Sequence, residues 1–219
     1  MSIRTVDMLS VYEGANFRRF WILAILAGVE KAGASPMGIK QFNLLAYFSN
    51  SVSRCYDIEP LDPTILKERS GPLYPQLLWD IDRLVGMRQV RVANLVMAPE
   101  GAAKSVSYAI TRQGLATLRS CVQLSTEMKN VHAALLSAAV AFCRSRRGIS
   151  GESLLAKDAN FSDSKFGLGD VVDFGQWDTY DATANAVNYV KDSVDSALVA
   201  DTNLAVNLYA KYLAVETGK

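Results

Sequence analysis

This 219-residue sequence predicts a mainly α-helical fold with one small β-hairpin. Three observations carry the prediction. Residues 17–32 are apolar almost all round, as expected of a helix at the centre of a domain. Tyr74, Leu77, Leu78, Ile81, Leu84 and Val85 recur at helical spacing and share one face. Val90 and Val92, then Val106, Tyr108 and Ile110, alternate on either side of Pro99-Glu100-Gly101, the pattern of a hairpin.

Taken in order, Gly33 and Pro36 end the first helix. A second helix is expected over 39–53, with Phe42, Leu45, Ala46 and Ser49 on its inner side. Pro60 and Pro63 mark 55–70 as a loop holding a short helix at 64–68. The third helix runs from about 75 to 85. Pro75 suits its first turn, where a missing N–H costs no hydrogen bond, and Gly86 stops it. After the hairpin, Thr111 is placed to cap the next helix.

From Cys121 onward, Leu124, Met128, Val131, Leu135, Ala138 and Phe142 step by three and four, a narrow seam on a long helix. Either another helix of the same chain covers it, or a second copy or partner does, so a homodimer through 121–142 stays open. Arg144, Arg146 and Arg147 close the helix before Gly148, where cations favour a helix C-terminus. Residues 148–181 are rich in Gly, Ser and Asp yet hold five aromatics, too many for a disordered linker. Helices over 182–200 and 204–215 follow. The division expected is 1–120 and 121–219.

Composition narrows the function. Lys and Arg number 23 against 22 Asp and Glu, a net charge of +1, whereas a dedicated nucleic-acid binder carries a clear basic excess. Cys55, Cys121 and Cys143 are odd in number and in no CxxC pattern, which fits reduced, buried thiols and a cytoplasmic setting. Residues 1–16 lack an apolar core and a cleavage site, so no signal peptide is expected. The apolar run 20–29 is too short to span a membrane.

No constellation for chemistry emerges. His132 is the single histidine, beside the seam, and has the setting of a packing or surface residue. Gly148-Ile149-Ser150-Gly151-Glu152 lacks the last glycine of a nucleophile elbow. Gly167-Leu168-Gly169-Asp170 is followed by Val172 where a dinucleotide fingerprint needs glycine. Asp158, Asn160 and Ser162 open like a calcium loop, but Asp163 and Gly169 occupy its diagnostic glycine and glutamate positions. The expectation is no catalytic residue, no metal and no cofactor.

Helix, helix, helix, hairpin is the order of a winged helix-turn-helix core, here with a helical C-terminal region. The recognition helix of such a fold would be 75–85. Its side away from the apolar stripe would hold Gln76, Trp79, Asp80 and Arg83, with Asp82 at the border. One arginine against two aspartates is a poor face for reading bases among phosphates. Trp79 off the stripe suits a protein-contact anchor, unless another part of the fold covers it. Phosphate contacts could come from Arg83, from Arg88, Arg91 and Lys104 on the wing, and from the Arg144, Arg146 and Arg147 cluster.

Leu73-Tyr74-Pro75, Leu84-Val85-Gly86-Met87 and Tyr108-Ala109-Ile110-Thr111-Arg112-Gln113-Gly114 resemble the pattern of winged-helix regulators such as the PadR and MarR families. That likeness covers about a quarter of the chain and implies operator-DNA binding. The chain departs from it in the acidic third helix and in the long insert before it. The overall layout also resembles the middle subunits of bacterial three-component ABC-ATPase antiphage defence systems of the Lamassu type. This second resemblance implies a non-catalytic adaptor joining an SMC-like ATPase to an effector nuclease. A partner surface is expected at Trp79 and along Phe161, Phe166, Phe174, Trp177 and Tyr180, where aromatic anchors stand among aspartates. The rival reading packs those aromatics back on the chain's own helices.

Overall fold

The structure, a computed structural model, describes residues 14–58, 64–68, 71–99, 103–145, 158, 161, 167–173, 182–193 and 201–215. It is mostly helical with small antiparallel sheets. Helix α1 (Ala15–Lys31) lies at the centre and buries every residue from Phe20 to Leu26. It touches most of the helices around it, as its lack of a polar face requires. Gly33, at φ +70°, takes the left-handed conformation just past its end. The strand Met37–Gly38 (β1) then leads into α2 (Ile39–Ser51). This second helix is buried from Phe42 through Ser51, on far more than the single side that its periodicity suggested.

Helix α3 (Pro75–Gly86) begins with Pro75 in its first turn, as expected. Tyr74, Leu77, Ile81 and Leu84 are buried, and the Tyr74 ring meets Trp21 of α1 edge-on at 5.9 Å. The expected hairpin forms from β4 (Val90–Met97) and β5 (Ala103–Ile110), in register from Val90 opposite Ile110. A contact unseen in the sequence is β1 pairing with the far side of β5, giving the order β1-β5-β4.

Thr111 caps α4 (Arg112–Val122) as expected, its hydroxyl accepting from the Gly114 N–H at 3.0 Å. The same hydroxyl donates to the carbonyls of Arg88 and Gln89, tying the foot of the hairpin to the helix start. Gly114 permits the approach: a Cβ there would lie 2.2 Å from the Gln89 oxygen.

Two expectations are corrected here. The short helix at 64–68 is instead a strand, β2 (Thr64–Glu68), between β3 (Gly71–Leu73) and β6 (Val171–Asp173). Its pairing with β6 spans about a hundred residues, so no local pattern revealed it. The long seam helix is broken as well. Helix α4 stops at Val122, and α5 (Thr126–Ser145) starts afresh with the Ser125 hydroxyl accepting from the Met128 N–H. Leu124 falls in the break and is 78% exposed.

Beyond the break the seam lies inside the chain: Val131, Leu135, Ala138 and Phe142 are buried. Helix α5 packs on α1, on α2 and on α7 (Thr202–Val215). At its crossing with α1 the backbones nearly touch, since a Cβ built on Gly28 would sit 2.5 Å from that of Ala139. The remaining helix, α6 (Ala182–Ser193), lies against α7. Val187, Val206 and Tyr209 join the same core as α1, so the C-terminal helices share the apolar centre of the N-terminal ones.

Candidate functional site

On α3 the apolar stripe turns inward and leaves an outer face of Gln76, Trp79, Asp82 and Arg83. Trp79 is 73% exposed. Asp80 departs from the expected placement. It is buried, and its two carboxylate oxygens accept from Nε of Arg18 at 2.8 Å and of Arg19 at 3.1 Å. Those arginines project from the first turn of α1, a pairing across sixty residues that helix periodicity could not show. With Asp80 used inside the fold, the outer face of α3 carries one acid and one base.

Asp82 lies close enough to the hairpin to act on Tyr108. Burial pushes the Tyr108 hydroxyl pKa up, and the Asp82 charge adds to that rise. Arg88, Arg91 and Lys104 are all exposed on or beside the hairpin, so these cations are available to solvent. Arg88 sits at φ +58° in the turn between α3 and β4. Apolar side chains dominate the outer part of the hairpin, where Val92, Leu95, Val96 and Met97 are exposed. The alternation in the sequence placed Val92 inside with Val90; it lies exposed on the edge strand, although Tyr108 opposite it on the middle strand is buried.

Of the segment expected to hold aromatic anchors, Phe166, Phe174, Trp177 and Tyr180 lie outside the described residues, as do Arg146 and Arg147. Phe161 is packed internally. Its ring meets Tyr47 edge-on at 5.5 Å, and the Lys67 ammonium lies 5.1 Å from its centroid on the other contact. Arg144 is exposed at the end of α5. There it borders an open cleft of about 690 Å³ with Asp201 and Asn203 at the start of α7 and Lys211 further along it.

Asp158 is the polar centre that the sequence did not identify. It is fully enclosed. One oxygen accepts from the Tyr47 hydroxyl at 2.8 Å and the Phe161 N–H at 3.0 Å. The other accepts from the Thr183 and Tyr209 hydroxyls, both at 3.1 Å. Burial raises its pKa, and the four donated hydrogen bonds pull the other way. Tyr47, beside it, is raised by its own burial and by the Asp158 charge. The three hydroxyls come from α2, α6 and α7, so the carboxylate knots the C-terminal helices to the N-terminal core. Its one visible signal was the failed calcium-loop match, which pointed to the wrong chemistry.

His132 is half-buried in a mostly apolar cleft of about 370 Å³ between α1, α4 and α5, with Lys31 and Arg119 at its rim. Burial lowers its pKa and the Lys31 charge lowers it further, so the imidazole is neutral at neutral pH. Cys55, Cys121 and Cys143 are each half-buried and in no disulfide, and burial raises the Cys121 thiol pKa. Among the described residues no group of three or more His, Cys, Asp or Glu is placed to hold a metal ion, and no helix is long and apolar enough to cross a membrane. In comparisons with known proteins, the chain matches no family model and no curated relative.

Proposed function

We propose that the protein is a non-enzymatic adaptor subunit of a multi-protein complex, built on a winged-helix core. The observation that carries this reading is Trp79, 73% exposed midway along the helix that would enter a DNA groove in a nucleic-acid-binding relative of the fold. A bulky indole flanked by Gln76, Asp82 and Arg83 suits a protein anchor better than a base-reading surface. The apolar wing supports the same reading. By the resemblance of its overall layout, the complex is an SMC-like ABC-ATPase antiphage defence assembly in the cytoplasm, with an effector nuclease as the further partner.

Purification of the native protein tests the proposal. Stoichiometric co-elution with a large ATPase, lost in Trp79→Ala at an unchanged melting temperature, is the expected result. A lone dimer giving a discrete, salt-sensitive footprint on its own promoter would overturn it. That outcome belongs to the second reading, a winged-helix transcription regulator, which the exposed Arg88, Arg91 and Lys104 favour through phosphate contact.

A further inference from the structure

In the sheet ordered β1-β5-β4, strand β4 is an edge, and among the described residues no strand lies on its outer side. It is eight residues long, and beyond its base it runs out from the body of the protein. Natural edge strands are blunted by lysines, prolines, inward-pointing charges or β-bulges, because an open row of N–H and C=O groups recruits other chains. Between Val92 and Met97 this edge carries no charge and no proline. It exposes Val92 at 43%, Leu95 at 55%, Val96 at 50% and Met97 at 52%. Register shifts occur between Val92 and Asn94 and between Val96 and Met97, yet Asn94, Leu95 and Val96 pair regularly with Ser107, Val106 and Ser105.

Successive residues of a strand point to opposite faces, so Leu95 and Val96 make both faces of the protruding edge apolar. We infer that the outer edge of β4 takes up an extended segment of a protein partner as an added strand, and that this segment is a continuous apolar run with an acidic residue facing Arg91. An added strand would set its side chains alternately beside Leu95 and beside Val96. A partner with one polar face would leave one of those two uncovered, so the run is unbroken rather than alternating.

Charge selects the partner. Every charged side chain among the described residues of the hairpin and the turn leading into it is a cation: Arg88, Arg91 and Lys104. A second copy, running antiparallel across a two-fold axis, would set the uncharged Met97 end of its β4 beside Arg91 and offer it no acid among the described residues, whereas an acidic flank pairs with Arg91. Nucleic acid would engage the cations but leave the four apolar side chains without a role. The inference deepens the adaptor proposal and rests on it for the existence of a protein partner.

The test uses the full-length protein and a synthetic peptide with about six valine, isoleucine and threonine residues between aspartates. Amide hydrogen exchange across β4 is the readout. The aspartate-flanked peptide is expected to slow exchange at β4 about tenfold, and peptides with lysine flanks or a central proline to leave it unchanged. Leu95→Lys with Val96→Lys removes the effect at an unchanged melting temperature, since both side chains are exposed. Arg91→Glu transfers the preference to the lysine-flanked peptide.

Unchanged β4 exchange with the aspartate peptide would overturn the inference. So would concentration-dependent dimerisation that protects β4 without peptide, or a short duplex DNA that competes the peptide away. The two proposals fail separately. A native complex in which β4 exchanges freely sinks the edge inference and keeps the adaptor, while peptide protection without any native complex does the reverse.

Discussion

Replacing Asp158 tests how the C-terminal helices are held to the core. Asp158→Ala leaves three buried hydroxyls, on Tyr47, Thr183 and Tyr209, and the Phe161 N–H without this acceptor. Each buried donor so deprived costs about 1–3 kcal/mol, part of it recovered by rotation of the hydroxyls, which gives a total of about 4 kcal/mol. At about 2–4 °C per kcal/mol for a chain of this size, the melting temperature falls by about 8–16 °C. Asp158→Asn keeps the shape and one oxygen, trades the other for a donor, and costs about 1–2 kcal/mol.

The two variants also separate charge from shape through pH. Burial holds the folded Asp158 carboxyl above its usual value of 3.8, so across that window the folded state keeps a proton that the unfolded chain releases. The stability that Asp158 contributes is therefore greatest at acid pH and declines as pH rises through the window. Denaturant titrations at a series of pH values should show the advantage of the wild type over Asp158→Asn shrinking as pH rises. An advantage that grows with pH, or an alanine variant within about 1 kcal/mol of the wild type, would refute the account of the knot.

Three further substitutions probe the close approaches that set the fold. Gly28→Ala drives a Cβ to 2.5 Å from Ala139, so a loss of about 1–3 kcal/mol is expected by denaturant unfolding, with Ala139→Gly recovering most of it in the double variant. Gly114→Ala pushes against the Gln89 carbonyl, which as backbone cannot swing aside, and should lower the melting temperature by about 4–10 °C. Asp80→Ala removes the shared partner of Arg18 and Arg19. Both guanidinium groups are partly solvated, so about 2 kcal/mol is expected, below the loss for a fully buried pair. An unchanged midpoint in any of these would show that the backbone or side chains relax where the packing says they cannot.

What the sequence made legible were elements whose signal is local. The apolar stripe on α3, Pro75 in its first turn, the hairpin alternation and the Thr111 cap each depend on residues within one turn or one strand of each other. The structure shows the hairpin, the cap and the helix where they were expected. The misread features depend on distant partners. Strand β2 exists because β6 and β3 flank it, and its Lys67 is buried beside the Phe161 ring. The seam broke at Leu124 because three-and-four spacing continues through a turn as readily as through a helix. For Phe161 the sequence left two readings open, a partner anchor and packing on the chain's own helices; composition does not separate them, and in the structure the partly buried ring meets Tyr47.

The same separation between count and placement bears on function. At the sequence level the outer face of α3 counted two aspartates against one arginine, and that count weighed against nucleic acid. Asp80 points inward to Arg18 and Arg19, so the electrostatic objection weakens to one acid against one base. A charge argument alone would then move the chain toward DNA binding. Exposure weighs the other way: a solvated indole at Trp79 and four exposed apolar side chains along the hairpin offer a phosphate nothing to bind. Under the adaptor proposal, exposed apolar surface beside Arg88, Arg91 and Lys104 suits a partner segment that is apolar and acidic at once. Protein segments supply that combination, and duplex DNA does not.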